Sequence, residues 1–203
     1  MKAIVTADIV NSRKDASGEW LPILKKHLAG IASEPKEWEF YRGDAFQIEI
    51  SHPELALRAA ISIKALLKTR KLDARMSIGI GEKTYDGEKI SESNGSAFVR
   101  SGELFETLKP QKLVLAISTG DAELDEQLNL VFRLVSVLIT NWLPQSAEFV
   151  LTALQYPELS QEELGRKLKI SQAAVSRRQK RSQFDLIMDA EAFYRKTIKQ
   201  LQP

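Results

Sequence analysis

Two alternating runs joined by a two-residue turn constrain this chain more than anything else in it. Glu37–Arg42 puts Trp38 and Phe40 on one side, Gly43-Asp44 makes the turn, and Ala45–Ile50 returns with Phe46, Ile48 and Ile50 alternating. This reads as a β-hairpin with a carboxylate at its tip. Its register is pinned, because a one-residue slip would carry every apolar side chain to the other face. A further strand, Lys2–Ile9, has Ala3, Val5, Ala7 and Ile9 on one side and Ile4, Thr6 and Asp8 on the other. If it lies beside the hairpin, Asp8 and Asp44 meet at one edge of a sheet. Two such carboxylates are hard oxygen donors of the kind a magnesium–nucleotide site needs. Each is also a residue that turns favour on their own account.

The rest of the first 120 residues alternates strand and helix patterns. After Asn11-Ser12-Arg13 and a polar loop over Lys14–Gly18, Trp20–Ala32 carries Leu21, Leu24, Leu28 and Ile31 at helical spacing. A short polar strand-to-helix turn can offer backbone N–H groups to a phosphate. Ser33-Glu34-Pro35 breaks that helix, and Pro53 stands at a first helical position before a helix over Glu54–Arg70. Arg75–Gly81 is the next strand, Glu82–Asn94 a polar loop, Gly95–Leu108 a helix ended by Pro110, and Lys112–Ser118 a strand. The unit β-α-β-β-α-β is the ferredoxin-like arrangement, so the expected class is α+β.

From Ala122 the patterns are all helical: Glu123–Trp142, Gln145–Gln155, Leu159–Lys169, Ser171–Arg181 and Phe184–Leu201. The expected division is 1–120 for the mixed domain and 121–203 for a helical one. The longest apolar run, Leu128–Leu138, is broken by Asn129, Arg133 and Ser136, too short and too polar to span a bilayer. Met1–Val5 reaches Asp8 too soon to form the core of a signal peptide. The absence of cysteine removes disulfides, thiolate metal sites and cysteine nucleophiles, and fits a cytoplasmic protein. The two histidines, His27 and His52, have no nucleophile or ligand at useful spacing.

Charge is unevenly spread. Leu159–Pro203 holds ten Lys/Arg against five Asp/Glu, hence +5, whereas the whole chain is +2 and the remainder therefore −3. A basic end on a mildly acidic body points to a polyanion met by that end alone. Within it, 159–181 has the pattern of a helix-turn-helix. Ser160 and Glu163 form a capping box, Gly165 is small where a second helix must cross, Ile170 anchors the turn, and Ser171 caps the second helix. Gln172 and Ser176 then lie where base edges are reached, and Arg177, Arg178, Lys180 and Arg181 suit phosphates. Two ordinary helices packed as a hairpin, or a protein–protein module, would share much of this pattern.

Three short stretches resemble known families. Ala7-Asp8-Ile9-Val10 resembles the first metal-binding strand of class III nucleotidyl cyclases. Arg42-Gly43-Asp44-Ala45-Phe46 resembles their Gly-Asp hairpin and that of GGDEF diguanylate cyclases, and Arg75–Gly81 resembles the later Arg-x-x-Ile-Gly strand. The resemblance implies a cyclase-type palm that pairs head to tail, with Asp8 and Asp44 holding Mg²⁺ or Mn²⁺ and Asn11, Ser12, Arg13, Arg42 and Gly43 near a nucleotide. Active members also carry an Asn and an Arg on the helix after a glycine. By spacing from Gly95 these positions are Val99 and Glu103, and the second acidic position of a GGDEF hairpin is Ala45. A carboxylate at Glu103 opposes developing phosphate charge, so no catalytic residue is assigned. The succession of a degenerate palm and a helix-turn-helix resembles the SatD family of bacterial proteins. The expected function is a DNA-binding regulator, homodimeric, whose palm senses a nucleotide or serves as a dimer platform. The alternatives are a metal-dependent enzyme acting on a nucleoside triphosphate, or an interaction protein without either activity.

Overall fold

A computed structural model of the 203-residue chain describes residues 1–10, 12, 18–32, 34–41 and 43–201. Its centre is β1 (Lys2–Val10), whose Ala3, Val5, Ala7 and Ile9 are buried on one face and Ile4 and Thr6 on the other. β2 (Trp38–Tyr41), β3 (Ala45–Ile50), β4 (Asp73–Gly81) and β5 (Leu115–Ser118) complete one sheet in the order β2-β3-β1-β4-β5. β1 is antiparallel to β3 and to β4, the hairpin β2–β3 is antiparallel, and β5 runs parallel to β4. The helices are α1 (Trp20–Ile31), α2 (Ala56–Thr69), α3 (Ser96–Leu108), α4 (Ala122–Thr140), α5 (Pro144–Gln155), α6 (Gln161–Leu168), α7 (Gln172–Ser182) and α8 (Phe184–Gln200). The protein is thus of the α+β class. Among the described residues no helix is long and apolar enough to cross a membrane.

The alternation along β1 sorts the layers. Ala3, Val5, Ala7 and Ile9 join one buried cluster with Leu24 and Leu28 of α1 and Leu57, Ile61 and Ile63 of α2. The same cluster continues into Phe132, Phe149, Val175 and Tyr194 of α4, α5, α7 and α8. A single core therefore runs through the sheet-bearing and the all-helical parts. Tyr194 ties them again, its hydroxyl donating to the Pro53 carbonyl at 2.7 Å.

α3 covers the other face. Ser101 donates to Thr6 Oγ1 at 2.7 Å, and Ser77 donates to the Ser101 carbonyl at 2.7 Å. The helix lies so close that a Cβ on Gly79 would stand 2.2 Å from the Ala97 carbonyl oxygen and 2.4 Å from the Ser101 nitrogen.

Of the boundaries that differ from the sequence expectation, two have a clear physical reason. β5 starts at Leu115 rather than Lys112, because α3 closes first. Lys112 takes a left-handed φ of 55°, and the Leu113 N–H returns to the Leu108 carbonyl. α4 stops at Thr140, freeing the Trp142 indole to donate to the Ser182 carbonyl at 2.9 Å. The outer edge of β5 is closed by a side chain. Asn129 of α4 accepts from the Ile117 N–H at 2.9 Å and donates to the Ile117 carbonyl at 2.8 Å.

Two anchored carboxylates set the acid limit of the fold. Burial pushes the Glu49 carboxyl up, but hydrogen bonds from Lys83 (2.7 Å) and Lys2 (2.9 Å) outweigh it and leave its pKa below the ordinary value. Asp73 is likewise held low against burial by Lys64 and Lys68. A depressed carboxylate contributes stability that is fully present above its unfolded pKa and lost as pH falls through the native one. The melting temperature should therefore hold down to about pH 5 and fall steadily below about pH 4. Circular dichroism melts check this, and Glu49→Gln should flatten the acid limb.

Candidate functional site

The register of β1 carries the expected sheet-end residues to one place. Asp8 lies opposite Ala45 on β3 and opposite Arg75 on β4. The Ile9 N–H donates to the Asp44 carbonyl at 3.0 Å, which fixes the hairpin tip beside the end of β1. Gly43 takes φ 84°, a conformation that favours glycine, and so lets the two-residue turn close. Ser12 donates to Asp44 Oδ2 at 2.8 Å. Asp8, Ser12, Gly43 and Asp44 are thus brought together. Asn11, Arg13 and Arg42, also expected here, lie outside the described residues.

Sequence reasoning missed the partner of Asp8. The Arg75 guanidinium meets the carboxylate side-on, Nε donating to Oδ1 at 2.9 Å and Nη2 to Oδ2. Hydrogen bonding to Asp8 holds the guanidinium even more firmly in its charged form than usual, partly offset by burial, and the Asp44 charge adds to the effect. The alternation of β4 puts Arg75, Ser77 and Gly79 on one face, and the β1–β4 register brings that face to Asp8. Both oxygens of Asp8 meet an internal cation, and one oxygen of Asp44 accepts from Ser12. Among the described residues no three His, Cys, Asp or Glu side chains converge to hold a metal ion. As arranged among the described residues, Asp8 would have to release Arg75 to hold Mg²⁺ or Mn²⁺, and no step of metal chemistry is derived from them.

The helix positions follow suit. Val99 and Glu103 lie on the exposed side of α3, away from the sheet. Arg100 donates to the Ile80 carbonyl at 2.5 Å and lies against Gly120, beyond the far end of β4 from Arg75.

The second constellation is built by α5, α6 and α7. Ser160 and Glu163 make a reciprocal capping box at the start of α6, and Ser171 accepts from the Ala174 N–H at the start of α7. Between the helices Lys169 takes a left-handed φ of 56°, and the Ile170 N–H returns to the Gly165 carbonyl at 2.9 Å. Gly165 is buried, and a Cβ there would stand 2.8 Å from the Ile170 carbonyl oxygen, so the turn depends on its absence. Leu164 and Val175 are buried at the crossing.

That crossing leaves one face of α7 in water: Gln172, Ser176, Arg177, Lys180 and Arg181 are all exposed. Arg178 points elsewhere and pairs with Glu148 of α5 at 2.7 Å, so it fastens α7 to the bundle. Gln161, not singled out from the sequence, accepts from Gln172 Nε2 at 2.6 Å and donates to Gln179 Oε1 at 2.8 Å. Gln179 in turn donates to Asp185 at 2.8 Å. This amide relay orients the first side chain of α7; its signal in the sequence was Gln161 following the cap Ser160. The arrangement presents three cations without an ion-pair partner among the described residues and a pre-set amide on one helix, a surface suited to a polyanion with readable edges.

No family of known proteins matches the chain, and no curated protein is found similar to it.

Proposed function

We propose that the protein is a DNA-binding regulator resembling the SatD family, in which a ferredoxin-like, cyclase-type palm carries a helix-turn-helix. The observation that carries this reading is the exposed face of α7, with Arg177, Lys180 and Arg181 unpaired among the described residues and Gln172 held by Gln161. The strand order β2-β3-β1-β4 and its β-α-β-β-α-β connectivity support the palm. A nucleotide bound with Mg²⁺ or Mn²⁺ would have to displace Arg75 from Asp8, so the palm's part in this proposal is that of a platform. The working form is a cytoplasmic homodimer, since two copies of such a helix read two half-sites. The exposed stripe Leu130, Leu134 and Val137 on α4 is consistent with a second copy.

Fluorescence anisotropy with a random-sequence duplex, titrated between about 50 and 200 mM salt, tests the reading. Wild type should bind, with affinity that falls steeply with salt. The combined variant Arg177→Ala, Lys180→Ala, Arg181→Ala should reduce the slope of log affinity against log salt by nearly 3. Arg178→Ala should leave that slope unchanged, because Glu148 already neutralises it. Absence of binding, or a triple variant with the wild-type slope, would sink the proposal.

A further inference from the structure

A groove of about 640 Å³ opens at the seam where α1 and α2 of the sheet-bearing part meet α5 of the helix-turn-helix bundle. Its walls are aliphatic, with Ile23 and Ile31 from α1, Leu66 from α2, and Leu151 and Leu154 from α5. Its size and lining are those of a small-molecule site, mainly apolar with a few polar groups. Beside the neutral Ser51, Ser62 and Gln155, the ionisable groups are all basic: Lys26, His27, His52 and Arg58 line the groove, and among the described residues no Asp or Glu does.

Its two cations, Arg58 and Lys26, are not held in ion pairs among the described residues. Arg58 spends one N–H on the Leu154 carbonyl at 3.1 Å, and among the described residues neither Arg58 nor Lys26 has a carboxylate within ion-pair distance. His52 approaches Glu54 at 3.9 Å, and His27 meets Ser62 Oγ at 3.0 Å. Burial lowers the His27 pKa, which keeps that ring a neutral hydrogen-bonding group beside the aliphatic wall. A half-buried guanidinium at the margin of an apolar groove is a ready partner for a carboxylate, which it can grip through two N–H groups.

We propose that this groove binds a small amphipathic carboxylate, its aliphatic body between α1, α2 and α5 and its head on Arg58 and Lys26, and that occupancy adjusts the helix-turn-helix. The route is short. α5 forms one wall, and the same helix holds α7 through Glu148 and Arg178. A ligand that wedges or tightens α5 against α2 therefore moves the base of the DNA-facing helix. This second half rests on the DNA-binding reading above; the binding half does not.

Decanoate serves as the probe and decanol as its uncharged counterpart. Isothermal titration calorimetry on the full chain should show one decanoate bound per chain, with decanol at least tenfold weaker. Arg58→Gln with Lys26→Gln should weaken decanoate at least tenfold and leave decanol within twofold. Lys26 is exposed, so Lys26→Gln alone gives a folded variant with a smaller loss in the same direction. Adding decanoate should then change duplex affinity at least threefold in wild type and not in the double variant. No decanoate binding, or binding indifferent to both substitutions, overturns the site. Binding without any change in the affinity of a protein that does hold DNA overturns the regulatory half. A protein that binds decanoate as described but no duplex leaves the site standing and removes the function proposed for α7.

Discussion

Asp73→Ala should cost about 3–5 kcal/mol, because it strands a buried ammonium. Lys64 of α2 is completely enclosed, and its Nζ donates to Asp73 Oδ1 at 2.7 Å and to the Ala74 carbonyl at 2.7 Å. Lys68 reaches the other oxygen of Asp73 at 2.9 Å and also donates to the Thr140 carbonyl at the end of α4. One carboxylate at the start of β4 thus ties a lysine in the core and a lysine that bridges to the helical part. Burial alone pulls the Lys64 pKa down, and Asp73 is what opposes it. Without Asp73, a chain of this length should melt roughly 10 °C lower at neutral pH. The deficit should shrink as pH rises toward 10. With its native pKa depressed below the unfolded one, Lys64 binds fewer protons folded than unfolded in that range, so stability climbs with pH. Lys64→Met should be far milder than Asp73→Ala, since an apolar side chain suits the enclosed site and Asp73 keeps Lys68. Thermal melts of the two single variants from pH 7 to 10 check both the order and the slope. Equal losses that do not vary with pH would mean that Lys64 is not charged in the fold.

Gly79→Val should leave almost no native protein. The clash is with backbone at the Ala97 carbonyl and the Ser101 nitrogen, both under 2.5 Å from an ideal Cβ, so no side chain can swing aside. α3 would have to lift from the sheet, breaking the buried contacts of Ser101 with Thr6 and Ser77. Overpacking in a close-packed core costs about 1–3 kcal/mol when side chains can adjust, and more where the obstacle is backbone. Soluble yield and far-ultraviolet circular dichroism read the outcome. Gly102→Ala on α3, where a Cβ meets nothing within 4 Å, is the matched control and should fold normally.

The features legible in the sequence were those set by local chemistry. The hairpin was visible because Trp38, Phe40, Phe46 and Ile48 alternate around a glycine that tolerates positive φ. The caps of α6 and α7 were visible because serine three residues before a free N–H is a local bond. What stayed hidden depended on partners distant in sequence. Lys64 looks like any helical lysine until Asp73 and the Ala74 carbonyl are placed beside it. Arg178 sits among four basic residues of one short segment, and only the position of α5 separates it from Arg177 and Arg181. Arg75 was noted as part of a strand motif, yet its pairing with Asp8 follows from the β1–β4 register, which no local spacing encodes.

Asn129, one of three polar residues in the run Leu128–Leu138, has a consequence for assembly. A terminal strand of a sheet is a template on which another chain can add its own backbone. Here one amide side chain supplies both the acceptor and the donor that an incoming strand would bring to Ile117. A neighbouring molecule can extend the sheet at that position only after prising α4 away. The outer margin of β5 is therefore guarded at Ile117 against templated polymerisation.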